Sequence, residues 1–380
     1  MISAARVAAF EVLLLVERGG YASDLLLRRT ELDSRDAGLA SEIVMGSLRF
    51  QGQLDFLIAR FSGREAARLD AEVRIALRMA IYQLRYLSRV PAHAAVGESV
   101  ELVKRARKRS AAPFVNAVLR KANKDDVAWP DRATALSTPE WMLARWERQY
   151  GAETAEKIAR ANLAPPETYV RAAGAAGEGL EATEIPGCYR VVSGDAFGMR
   201  IQDIGSQSII PLLDLQPGQT FLDLCAAPGN KTAQALEAGI RAVACDIHLS
   251  RLEHMRRLGC PLVALDGTQP LPFAARFDRI LVDAPCSGTG TLARNPEIKW
   301  RLEPADLPDL HRRQVSLLRN ALASLAHGGR LVYSTCSLER EENEAVVEES
   351  GARVERLWRR TPGLDHGDGF FAAVLTSGKP

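Results

Sequence analysis

The sequence predicts a chain of two unlike parts: an all-helical domain, then an open α/β sheet domain, with a small α+β segment between them. Three observations carry that prediction. Helical periodicity runs uninterrupted over residues 1 to about 125, the rhythm changes to repeated strand, turn and helix from 217 onward, and short glycine-separated β-prone pieces lie in between. At 380 residues, with 47% hydrophobic and 25% charged content, the chain is long enough to pack two or three domains.

In the first part Val73, Leu77, Ile81 and Leu84 share one helical face, as do Val96, Val100 and Val103, and no strand alternation intervenes. The polar, proline-bearing stretch KANKDDVAWPDR (121–132) closes it. Further helical patterns follow in WMLARWERQY (141–150) and ETAEKIARANLA (153–164), ending at Pro165 and Pro166. TYVRA and CYRVV are the β-prone pieces of the middle segment. The apolar runs FLDLC, RAVACD, LVALDG, RILVDA and RLVYSTC, each trailed by a polar or helical segment, form the pattern of a parallel, Rossmann-like sheet with crossover helices. The expected boundaries are 1–127, 128–215 and 216–380.

A net charge of +2 neither demands nor forbids a nucleic-acid partner. Its distribution is more informative, because Lys104, Arg105, Arg107, Lys108, Arg109, Arg120, Lys121 and Lys124 crowd one stretch, enough to neutralise several phosphates or simply to solvate a helix face. No uncharged apolar run reaches the roughly 20 residues of a membrane helix, so a cytoplasmic protein without membrane contact is expected. The six cysteines, Cys188, Cys225, Cys245, Cys260, Cys286 and Cys336, stand singly without metal-ligand spacing, so free thiols and no metal are expected.

In open α/β sheets ligands bind beyond the carboxyl ends of the strands. The first apolar run enters CAAPGNKT, where Cys225, Ala226, Ala227, Pro228 and Gly229 make a tight small-residue turn that a ligand can approach, and a helix should start near Lys231. About twenty residues on, Asp246 ends the second strand at the spacing of a ribose-binding acid, and Asp266 closes the third, near where an adenine would lie. Aspartates also cap loops, but three at successive strand ends (Asp246, Asp266, Asp283) are harder to assign to capping alone. A dinucleotide oxidoreductase should carry GxGxxG after the first strand, which is missing. A P-loop NTPase should carry glycine where Asn230 precedes Lys231.

The fourth strand ends in DAPCSGTG, with Asp283 and Cys286, and the fifth in YSTCS, with Cys336, so both thiols should reach one edge in polar small-residue loops. Carbon 5 of cytosine is too electron-poor to attack a methyl sulfonium until a nucleophile adds at carbon 6, and a thiolate performs that addition. Asp283 could hold the base and stabilise protonation of its ring nitrogen. A thiolate needs a base or positive charge nearby, with Lys231 and Lys299 as candidates. The base must also leave its stack or come from an unpaired loop.

FLDLCAAPGNKT, VACDIHLSRL, ALDG, ILVDAPCSGTG with RNPEIKW, and LVYSTCSLEREENE together closely resemble the RNA 5-methylcytosine methyltransferases of the NOL1/NOP2/Sun family, over residues 200–380. ARVAAFEVLLLVERGGYAS through FVNAVLRKANK is similar to the antitermination factor NusB, an RNA-binding helical fold. That combination is the arrangement of the bacterial members acting on small-subunit ribosomal RNA. The resemblance implies S-adenosylmethionine as cofactor, contacts along Cys225 to Lys231 and from Asp246, Asp266 and Asp283, Cys336 as nucleophile, and Cys286 as the group assisting product release. It implies that the 165–215 region packs against the catalytic domain as an RNA-binding element. The expected partner is ribosomal RNA, with the chain acting as a monomer; transfer RNA is the rival substrate, and an RNA-binding regulator with a vestigial catalytic half the rival function. One departure stands out: the family's PGGK is PGNK here, with Asn230, whose tolerance of left-handed backbone would let the turn survive.

Overall fold

The computed structural model describes residues 2–122, 126–172, 174, 177–194, 196 and 198–376. They gather into two compact units, Met1–Pro165 with Leu292–Arg301, and Pro166–Thr291 with Leu302–Pro380. The stretch expected as one middle segment, 128–215, is thus shared out: its helical part to 165 packs in the first unit, and the remainder in the second.

In the first unit the helix Ala71–Tyr86 is buried almost all round, from Val73 through Leu84, as a helix at the centre of a bundle must be. The helices Ala4–Glu17, Ser34–Arg49, Gln51–Ser62, Ala92–Arg105 and Ala112–Lys121 surround it, and Ile43, Leu54, Leu57, Ile58 and Leu102 join its core. Asp33 starts Ser34–Arg49 by accepting the Asp36 N–H (2.8 Å). Gly46 allows the closest approach, since a Cβ there would lie 1.9 Å from Tyr82 Cζ.

A strip from far along the chain completes this unit. Leu292–Arg301 is knitted to it by side-chain to backbone bonds: Arg49 donates to the Ala293 carbonyl (2.9 and 3.0 Å), Glu297 Oε1 accepts the Ala22 N–H (2.9 Å), and Trp300 Nε1 donates to the Leu48 carbonyl (2.9 Å). Lys299 is buried with Nζ on the carbonyls of Arg49 (2.9 Å) and Ser137 (2.8 Å), and burial, with Arg49 beside it, pulls its ammonium down to about 7. Its amine is spent on two backbone carbonyls of the helical unit, so the expectation that Lys299 could activate a thiol is withdrawn. Of the basic run, Lys104, Arg105 and Lys108 face Glu101, Glu11 and Asp70, whereas Arg107, Arg109 and Arg120 are exposed without an ion pair among the described residues. Lys124 lies outside the described residues.

The second unit opens with a small antiparallel sheet, β1 (Tyr169–Arg171), β2 (Leu180–Ala182), β3 (Cys188–Val191) and β4 (Arg200–Ile201), in the order β2-β3-β1-β4. The main sheet follows: β5 (Thr220–Asp223), β6 (Arg241–Asp246), β7 (Leu262–Ala264), β8 (Phe277–Asp283), β9 (Leu325–Thr335), β10 (Arg353–Arg360) and β11 (Phe370–Thr376), in the order β10-β11-β9-β8-β5-β6-β7. Strands β5 to β9 pair in parallel, as their apolar runs predict. The sheet as a whole is mixed rather than parallel: β11 runs antiparallel to both β9 and β10. The physical reason is the connection 361–369, too short for the dozen-residue crossover that parallel pairing requires, so β10 and β11 fold as a hairpin.

Alternate residues feed two cores on opposite faces. Ile280, Val282, Leu331, Tyr333 and Phe371 point to one, while Phe221, Leu281, Val332 and Ala372 point to the other. The parallel register brings the ends of β5, β6, β8 and β9 to one edge.

Candidate active site at the carboxyl edge of the sheet

The turn after β5 closes on itself and on the next strand. Gly229 N–H donates to the Ala226 carbonyl (2.8 Å), and Ala226 N–H to the Cys245 carbonyl (2.7 Å). Gly229 takes φ +102° and starts the helix Asn230–Leu236, and a Cβ at that position would press into Met255 at 2.9 Å. The left-handed residue is therefore Gly229, and Asn230 is an ordinary first helical residue, so no left-handed tolerance is asked of it.

Asp246, at the end of β6, accepts from Ala227 N–H (3.3 Å) and His248 N–H (2.8 Å), which ties the turn to the strand end. Asp266 is exposed and holds Thr268 through its N–H (2.9 Å) and hydroxyl (2.7 Å). Burial, reinforced by Asp223, Asp283 and Asp246 around it, pushes the Cys225 thiol far up, so it stays protonated. These residues fit a nucleoside carrier: a glycine turn without side-chain bulk, then carboxylates that accept hydroxyl protons, set at successive strand ends.

Asp283 ends β8 with both oxygens engaged. Lys231 Nζ donates to Oδ2 (2.7 Å) and Ser334 Oγ to Oδ1 (2.7 Å). Burial works against the Lys231 charge, but Asp283 outweighs it, the sulfur of Cys336 adds to the effect, and the ammonium is held above its usual value. Its Nζ also lies 5.2 Å from the centre of the Phe370 ring.

Cys286 and Cys336 meet, Sγ to Sγ, at 3.4 Å. The hydrogen bond to Cys336 first, and burial second, push Cys286 well above the ordinary thiol range. Cys286 therefore holds its proton firmly, and either sulfur can donate across the pair. The residues just after each cysteine are clamped together: buried Glu342 accepts from Ser287 N–H (2.8 Å), from the hydroxyls of Ser287 and Ser337, and from Gln314 Nε2 (3.0 Å). Asn343 Nδ2 donates to the Ser337 carbonyl (2.9 Å) and its Oδ1 accepts from Thr335. Gly290 N–H reaches the Cys336 carbonyl (2.8 Å) and Gly369 N–H the Gly290 carbonyl (2.7 Å), a crossing that a Cβ on Gly290 would enter at 2.2 Å from Gly369 O.

The structure thus brings Cys286, Cys336, Asp283 and Lys231 together, with the Cys225–Asn230 turn and Asp246 at the same strand edge. Sequence reasoning missed Asp223, Glu342, Ser287 and Ser337. Asp223 is buried at the end of β5, accepts from Thr232 Oγ1 (2.7 Å), and has its other oxygen without a partner among the described residues; burial raises its carboxyl to about 7. Its position in FLDLC was readable, but its burial was not.

The model of the 16S rRNA methyltransferase RsmB/F family matches residues 210–357, and that of the NusB family residues 3–124. A Bacillus subtilis (strain 168) protein named probable ribosomal RNA small subunit methyltransferase B is 32% identical, across 90% of this chain and 87% of its own. The Klebsiella pneumoniae ribosomal RNA small subunit methyltransferase B is 30% identical across 97% of both. Among solved structures, PH0851 superposes with a TM-score of 0.80 at 21% identity over 97% of both chains. NSun6 from Pyrococcus horikoshii gives 0.57 at 19% identity, over 64% of this chain and 99% of that one. At such identities the superpositions speak for the fold alone.

Proposed function

Since the chain belongs to the ribosomal RNA small subunit methyltransferase B group of the RsmB/F family, we propose that it methylates carbon 5 of a cytosine in 16S ribosomal RNA through a covalent cysteine adduct. Its first unit has the NusB-type helical fold and its second a Rossmann-like methyltransferase fold. The observation that carries the chemistry is the sulfur pair at 3.4 Å beside the Lys231–Asp283 ion pair.

Cys225 to Lys231, with Asp246, Asp266 and Asp283, would hold S-adenosylmethionine, which would supply an electrophilic methyl group. Cys336, whose sulfur lies 3.4 Å from that of Cys286 and within the field of Lys231, is the thiolate that bonds to carbon 6 of the cytosine. Asp283, fixed by Lys231 and Ser334, faces the amino and ring-nitrogen edge and supports the proton taken up there as the ring loses aromaticity. Carbon 5 then bonds to the methyl carbon as that carbon's bond to the sulfonium sulfur breaks and leaves a thioether; a base takes the proton from carbon 5, the bond between carbon 6 and the Cys336 sulfur breaks, and the proton held at the ring nitrogen is given back as the pyrimidine reforms. Cys286, which keeps its proton, assists that elimination.

The test is methyl transfer from labelled S-adenosylmethionine to 16S rRNA by the purified chain, followed by nucleotide-resolution mapping. A single 5-methylcytosine in 16S rRNA is expected. Modification of transfer RNA instead, of another atom, or of nothing would overturn the reading.

A further inference from the structure

Away from the sulfur pair, two cavities among the described residues differ sharply in charge. One, of about 450 Å³ in the helical unit, is lined by Arg74, Arg78 and Arg301 against Glu17, Asp55 and Glu297. Its charges balance, and Arg78 already forks onto Asp55 (2.7 and 2.8 Å) while Arg74 grips Glu17 (2.6 Å).

The other, of about 330 Å³ in the sheet unit, has Arg200, His254 and Arg257 in its wall with Met199 and Asn230, and no carboxylate at all. Arg200 leans on Glu237 (2.5 Å), which stands outside the wall. Arg257 and His254 are exposed and make no ion pair among the described residues. Beside them Met199 and Ile201 leave apolar surface uncovered, 39% and 55% exposed. The cavity abuts Gly229 and Asn230, the end of the turn whose Ala227 is bonded to Asp246.

An exposed arginine without an acid partner, Arg257, beside the His254 imidazole attracts a phosphodiester, and an uncovered apolar side chain next to them offers a platform for a base face, the pairing by which single strands are held. The volume falls at the small end of ligand pockets, roughly 300–1,000 Å³, which suits one nucleotide and not a helix. We propose that this cavity takes a nucleotide of the single-stranded RNA substrate that neighbours the target base, its phosphate toward Arg257 and His254 and its base against Met199. The inference rests on the RNA-methylating reading above and adds to it a subsite.

The test reverses charge at the cavity wall and beside it. Arg257→Glu and the milder Arg257→Gln are compared with Arg256→Glu, an exposed neighbour paired with Glu253 and outside the wall. Two readouts are used: methyl-transfer kinetics on 16S rRNA transcript, and salt-dependent binding of a fluorescent single-stranded oligoribonucleotide. Arg257→Glu should raise KM for rRNA about tenfold, leave kcat and KM for S-adenosylmethionine unchanged, and lower the salt slope of binding by about one, while Arg256→Glu leaves all four within twofold. A rise in KM for S-adenosylmethionine would hand the cavity to the cofactor and overturn the inference. Equal weakening by both reversals, meaning a diffuse field, or no change in either, would overturn it as well. If the wild-type chain methylates no rRNA yet Arg257→Glu alone weakens oligoribonucleotide binding, the subsite stands and the proposed reaction falls.

Discussion

The two sulfurs are placed alike but carry different proposed roles: Cys336 as the nucleophile, and Cys286, pushed up by its bond to Cys336 and by burial, as the group that assists release. Cys336→Ala should lower kcat by at least about 10³-fold with no adduct, and Cys286→Ala should accumulate protein–RNA adducts that survive denaturing gels. Adduct in the Cys336 variant would exchange the two assignments. A second residue-scale effect comes from Asp223. Its folded carboxyl titrates near 7 against an unfolded value near 3.8, so between those values the folded chain holds the extra proton and stability falls as pH rises. Asp223→Asn should flatten that decline, read as a smaller difference in Tm between pH 5 and pH 8. The cysteines and Asp283 were legible in the sequence because each ends an apolar run, which fixes where along a strand it lies. Asp223 was not, since the burial of a carboxylate depends on what the rest of the fold places over it.

Strands β5 to β9 could be read from their apolar runs, for strands covered on both faces have nowhere to put polar residues. Strands β10 and β11 escaped, because RVERLWRR is half exposed and alternates with no clean period. Glu342 sits in the quoted EREENE run, yet nothing in a run of acids tells which one will be buried between two serines fifty-five and five positions away. The crossing at Gly290 is equally non-local and equally strict. Gly290→Ala must push the Cys286 and Cys336 loops apart, and should cost about 1–3 kcal/mol of stability and at least tenfold in kcat, measured by urea titration and methyl transfer on the same preparation. A variant that lost stability while retaining full activity would show that the loop crossing does not set the sulfur geometry.

At the scale of the molecule, the sequence reading cut the chain into consecutive pieces, whereas one strip, Leu292–Arg301, whose RNPEIKW is among the motifs that resemble the methyltransferase family, packs in the helical unit. Lys299 is its anchor. Lys299→Met strips the donor from two carbonyls, at about 1–3 kcal/mol each, offset in part by removing a buried amine. Because its folded value, about 7, lies below the unfolded 10.5, the unfolded chain binds more protons between them and wild-type stability rises with pH over that range. The variant should lose that rise in a Tm series from pH 7 to pH 10. Retention of the slope would assign it to other groups.

The borrowed strip also imposes a timetable on synthesis. Residues 1–165 emerge first, but the ten residues that finish their unit follow only after 166–291 have been made, which at roughly 5–20 residues per second is a wait on the order of 10 s. During that wait the donors and carbonyls of Ala22, Leu48, Arg49 and Ser137 that the strip engages face solvent instead. A fragment ending at residue 165 should therefore unfold at lower urea than the same fragment supplied with a 292–301 peptide. In the nascent chain, the protease resistance of the amino-terminal half should rise further once the ribosome has passed codon 301 and the exit tunnel has released the strip, as read by pulse proteolysis of stalled chains.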